Sequence, residues 1–132
     1  MLKANFKRVF FITLITTLIL VAGCSSPEDK KEAQIEEALA LSAGGDHAEA
    51  LAQLEELSAQ YPSDIEIFSA MGQIYAADDD LSMAAFFLEQ AHNQSPDDTE
   101  LLLQAYQGLE AANEPAGRLL EKLSNQAPEA IT

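Results

Sequence analysis

The chain has 132 residues with 22 Asp and Glu against seven Lys and Arg, a formal net charge of −15. That length holds one domain, and the excess of carboxylates excludes a surface that attracts nucleic-acid phosphates. A single cysteine excludes an internal disulfide, and abundant Ala and Leu beside six glycines and five prolines incline the chain to helix.

Lys3, Lys7 and Arg8 form a basic start. Val9 to Val21 then form an apolar run of 13 residues, interrupted only by Thr13, Thr16 and Thr17. A membrane-spanning helix needs about 20 apolar residues, so this run has the length of an export signal instead. The small residues Ala22 and Gly23 precede Cys24. Together Leu20, Val21, Ala22, Gly23 and Cys24 closely resemble the lipobox of bacterial lipoproteins. The resemblance implies removal of residues 1–23, a diacylglyceryl group on the Cys24 thiol and acylation of the new amino group. Two or more acyl chains hold a protein stably at a membrane. In the Gram-negative members of that family an Asp after the cysteine retains the protein at the inner membrane. Ser25 therefore implies the outer membrane, on its periplasmic face.

All acidic residues follow Cys24, opposed by Lys30, Lys31, Arg118 and Lys122 alone, a net of −18. Ser25 to Lys31 contain nothing apolar. With Pro27 among them, residues 24–31 read as a lipidated tether, which spans roughly 20 Å when extended.

Residues 32–132 repeat. Pro62 and Pro96 stand 34 residues apart, as do Ala50 and Ala84, and Leu54 and Leu88. The middle unit carries Phe68, Met71, Gly72, Tyr75, Ala84, Leu88, Ala91 and Pro96. Phe68, Met71 and Tyr75 recur at helical spacing, and Gly72 leaves room for a neighbouring helix. Asp78, Asp79 and Asp80 interrupt the pattern and supply a cap for the next helix. These spacings resemble the tetratricopeptide repeat (TPR), an antiparallel helix pair. The first unit has Ile35, Ala38 and Leu41, a turn at Gly44–Asp46, then Ala50, Leu54 and Leu57. Glu37 stands there where the middle unit has Met71. The third has Leu102, Ala105, Tyr106 and Leu109, then Ala116, Leu120 and Leu123. It is two residues short, a deficit expected in the turn between Leu109 and Pro115. The expectation is an all-α fold: three TPR-type pairs, about 32–62, 63–96 and 97–128, in a short right-handed solenoid. A plain helical bundle is the alternative.

No catalytic set is present, and no enzyme is expected. His47 and His92 lack metal-ligand spacing and read as surface residues. Asp78–Asp80 lack the alternating ligands, glycine and late glutamate of a calcium loop. No metal or cofactor is expected. The TPR resemblance implies instead a groove lined by the first helix of each pair. The matching residues off the packing stripe are Glu32, Ile35, Leu39, Glu66, Ser69, Gln73, Glu100, Leu103, Gln107 and Glu110. Such a groove is acidic with apolar spots and suits a partner segment carrying Lys or Arg beside an apolar residue. Leu101, Leu119 and Leu123 are expected to border an uncovered apolar edge that docks a partner or a second copy. Two readings follow. One is an envelope adaptor serving assembly of a pilus, secretion, outer-membrane or cell-wall complex. The other is a structural subunit that uses the edge.

Overall fold

The computed structural model describes residues 26–131, so the basic leader, the apolar run and Cys24 lie outside the described residues. Six α-helices follow one another: α1 Pro27–Ala43, α2 His47–Gln60, α3 Ile65–Ala77, α4 Leu81–Gln94, α5 Thr99–Ala111 and α6 Gly117–Gln126. A 3-10 turn, Pro128–Ile131, ends the series, and no strand occurs among the described residues. The fold is all-α, and each helix packs against its neighbours in the chain. The chain divides between Lys30 and Lys31, and the packing described below belongs to residues 31–132.

The first helix begins earlier than expected, inside the segment read as a tether. Ser26 Oγ accepts a hydrogen bond from the Asp29 amide at 3.1 Å, and the Asp29 carboxylate accepts one from the Ser26 amide at 2.8 Å. This reciprocal pair is a capping box. Pro27 takes the first helical position, where an amide hydrogen has no partner to lose and the fixed φ suits the helix. The proline read as a helix blocker is thus a helix starter.

The helix ends repeat at the expected step. Ala43, Ala77 and Ala111 close α1, α3 and α5, while Gln60 and Gln94 close α2 and α4. Each odd helix ends in the same turn. Asp46, Asp80 and Glu114 donate their amides to the carbonyls of Leu41, Tyr75 and Leu109 at 3.0, 2.9 and 2.9 Å. The residue before each donor has positive φ: Gly45 98°, Asp79 61° and Asn113 55°. These bonds make a Schellman motif, and Gly, Asn and Asp are the residues that enter this left-handed conformation most readily. Aspartates also start the helices: Asp64 caps α3, Asp80 caps α4 and Asp98 caps α5 through side-chain bonds to backbone amides.

The two-residue deficit of the third unit does not fall in its turn. The Schellman turn after α5 is intact, and α6 has ten residues where α4 has 14. Pro115 disfavours helical backbone at Glu114, and Ala116 offers no capping side chain. Helix therefore starts only at Gly117.

Two core clusters hold the helices. The first joins Ile35 and Ala38 of α1, Ala50, Leu54 and Leu57 of α2, and Ile67, Ala70, Met71 and Ile74 of α3. The second joins Ala85, Leu88 and Ala91 of α4, Leu101, Leu102 and Ala105 of α5, and Leu119 and Leu123 of α6. Phe68 packs against both. Helix α3 is therefore buried on two faces. Ile67 and Ile74 are its deepest residues, while Phe68 and Tyr75 of the expected stripe are only half-buried. Phe87 of α4 fills the space between them, 6.2 Å from the Phe68 ring and stacked on Tyr75 at 5.4 Å.

Gly72 marks the closest approach of α3 and α4. A Cβ there would lie 2.8 Å from Leu88 Cγ and 3.3 Å from the Ala84 carbonyl oxygen. Gly72→Val is expected to lower stability by about 1–3 kcal/mol through overpacking. Chemical denaturation followed by circular dichroism measures it, and an unchanged midpoint would contradict the close packing.

Candidate functional site

Three of the described cations are engaged by carboxylates of the chain itself. Lys31 is buried on α1 and reaches the start of α3, with its Nζ 2.8 Å from Asp64 and 3.0 Å from Glu66. The Tyr61 ring lies 5.9 Å from the same ammonium. Asp64 does two tasks, capping α3 and holding Lys31. Burial opposes its ionisation, but Lys31 and the amides of Ile67 and Glu66 outweigh burial and keep its carboxyl below the usual range. At the other end, Arg118 and Lys122 of α6 both bond the buried Glu89 of α4. Arg118 first, against burial and with Lys122 assisting, holds the Glu89 carboxyl below its ordinary value. Three of the four cations after Cys24 thus join helices to one another. Carboxylates outnumber the exposed cations Lys30 and Arg118 on the exterior.

The expected groove residues divide. Glu32, Glu66, Gln73, Glu100, Gln107 and Glu110 are exposed, and Leu39, Ser69 and Leu103 are half-buried. Ile35 is buried in the first core cluster and is not available to a groove. Leu39 and Leu103 also pack against the two clusters. The apolar spots expected in the groove are therefore turned toward the core, because burial removes their surface from water. What remains exposed is polar and acidic, and Glu66 is partly committed to Lys31.

The expected apolar edge is also corrected. Leu101, Leu119 and Leu123 are 7%, 1% and 0% exposed and belong to the second core cluster. Among the described residues the exposed leucine is Leu120, at 38%. Its counterparts in the earlier units, Leu54 and Leu88, are covered by a following helix. Among the described residues, Phe86, half exposed on α4, and Ile65, 36% exposed at the start of α3, are the other large apolar side chains in solvent.

The histidines serve the turns. His92 is buried, not surface-exposed as expected, and its Nδ1 donates to the Asp98 carbonyl at 2.9 Å. His47 Nδ1 shares a 2.9 Å hydrogen bond with Ser42 Oγ across the α1–α2 turn. No group of three or more metal-ligating side chains occurs among the described residues. No described helix is long and apolar enough to cross a membrane.

One cleft had not been anticipated. It has a volume of about 210 Å³ and lies between α1 and α2, lined by Gln34, Glu37, Gln53, Glu56, Leu57 and Gln60. The signal for it was in the repeat: Gln34 and Gln53 stand one step before Phe68 and Phe87, the ring pair that fills the second helix pair. Against known proteins, no family model matches the chain, and no curated protein does.

The folded-state pKa values of Glu89 and Asp64 lie below the unfolded ones, so the unfolded chain binds more protons in acid. Their contribution is complete above the unfolded carboxylate values of about 4 and is lost as pH falls through the lower folded values. Thermal melts across this range are expected to show the loss. Glu89→Gln should flatten the acid limb and cost about 1–2 kcal/mol at neutral pH, discounted because Arg118 is largely exposed. An acid limb identical to the parent's would exclude this latch.

Proposed function

We propose that the chain is a lipid-anchored TPR-type adaptor of the bacterial envelope, which holds another envelope protein beside the membrane. The observation that carries the reading is the helix pair repeated at a 34-residue step, with the same turn closing each first helix. Arrays of that kind bind protein segments on the surface made by their first helices. The resemblance of Leu20–Cys24 to a lipobox supplies the anchor, and Ser25 favours the outer membrane and its periplasmic face. Because three of the four cations after Cys24 are engaged in internal pairs and carboxylates are in large excess, the exterior suits a partner segment rich in Lys or Arg. The role is one of placement and capture, with no catalytic step assigned.

The exposure of Leu120 supports a second reading, that of a subunit docked through the end of the helix series. The two readings separate by mutation. Glu66 is unsuitable for charge reversal, because a new cation would face Lys31. Glu100→Lys combined with Glu110→Lys is expected to abolish in-cell crosslinking to the partner while preserving helicity, and Leu120→Glu should leave it intact. The opposite pattern would favour the docked subunit. For the anchor, Cys24→Ala should remove fatty-acid labelling and leave the precursor unprocessed. Persistent labelling of that variant would refute it.

A further inference from the structure

We propose that the cleft between α1 and α2 receives a single lysine or arginine side chain of the partner segment. This inference rests on the adaptor reading. It adds a point of charge recognition on the first helix pair to the glutamates of α3 and α5.

The cleft exists because one packing solution is missing. In the second pair, Phe68, Met71 and Phe87 fill the space between the helices, with the two rings 6.2 Å apart. In the third pair, Leu102, Ala105 and Leu119 occupy it and are buried. In the first pair the same positions are Gln34, Glu37 and Gln53, and the space stays open. Its floor is Leu57, 2% exposed. Two carboxylates and three amides form the walls, and no cation lines them. Neither Glu37 nor Glu56 has an ion-pair partner among the described residues.

Size and chemistry select the occupant. At about 210 Å³ the cleft is smaller than the ~300–1,000 Å³ that drug-sized ligands occupy, and it suits one extended side chain. The aliphatic stem of Lys or Arg covers an apolar floor while its head stays among polar groups. That head makes charge-assisted hydrogen bonds to carboxylates, and amide oxygens accept the remaining donors. An anionic or purely apolar side chain would leave these groups unsatisfied.

The test uses the isotope-labelled full chain in detergent. It is titrated with capped pentapeptides whose central residue is lysine, arginine or the uncharged isostere norleucine, flanked by leucines. The lysine and arginine peptides are expected to shift the resonances of Gln34, Gln53 and Leu57, and the norleucine peptide to leave them unmoved. Glu37→Gln with Glu56→Gln should weaken binding at least tenfold. Gln34→Phe with Gln53→Phe, which supplies the ring pair of the second unit, should abolish the shifts while retaining helicity and raising Tm. The proposal is overturned if the cationic peptides leave the cleft silent, if norleucine matches lysine, or if the shifts survive both variants. Binding of 1,4-diaminobutane as tight as that of the lysine peptide would also overturn it, in favour of a free amine. A silent cleft with partner crosslinks retained on α3 or α5 sinks only this inference. Loss of crosslinks from every helix sinks the adaptor reading itself.

Discussion

The arrangement depends on α3 being buried on two faces at once. Ile67, Ala70 and Ile74 pack back onto α1 and α2, while Gly72 lets α4 approach until Leu88 occupies the space a side chain would need. A helix with one apolar stripe can join a pair. A helix with two can join one pair to the next. The half-buried Phe68 touches both core clusters, and Phe87 of α4 packs against the first, so aromatic side chains help couple the two. Helices α1 and α6 lie at the two ends of the described series, and each is fastened by charge as well as by packing. Lys31 ties α1 to the start of α3, and Glu89 ties α4 to α6.

Those ion pairs have a consequence for recognition. A chain with four cations after Cys24 places three of them against carboxylates of its own. Breaking a pair that involves a buried partner is costly, because the remaining charge stays poorly solvated. Four cations against 22 carboxylates leave a large acidic excess, and long-range attraction favours basic partners. That excess also discourages self-association of the acidic faces. Within that exterior the first helix pair differs from the others, since Gln34, Glu37 and Gln53 stand where the second pair has Phe68, Met71 and Phe87 and the third Leu102, Ala105 and Leu119, and a cleft stays open.

Much of the architecture was legible in the chain. The 34-residue step was visible in Pro62 and Pro96 and reappears in the ends of α1, α3 and α5. The acidic run at Asp78–Asp80 was readable as a capping turn, and Asp80 caps α4 through Met83. Gly72 was readable as a close approach because its neighbours Met71 and Tyr75 are bulky. Less was legible where one residue type suits two roles. Pro27 either blocks or begins a helix, and the reciprocal bonds of Ser26 and Asp29 decide for the start. His92 looked like a solvated residue near a helix end, yet the turn before α5 supplies a carbonyl for it. Leu119, Leu120 and Leu123 lie within one helical turn and a half. Spacing alone could not say which of them faces the core: Leu119 and Leu123 do, and Leu120 is left exposed.

By itself the sequence determined the helical class, the step of the repeat, the capping turns and the acidic balance, because these rest on local spacing and composition. It also carries the resemblance at Leu20–Cys24. Tertiary structure alone decided which leucines of α6 are core, which groove candidates are exposed, and where the cations go. Those outcomes depend on side chains some 30 residues apart, such as Lys31 with Asp64 and Glu89 with Arg118 and Lys122. Periodicity within one helix contains no information about such partners until the next helix is in place.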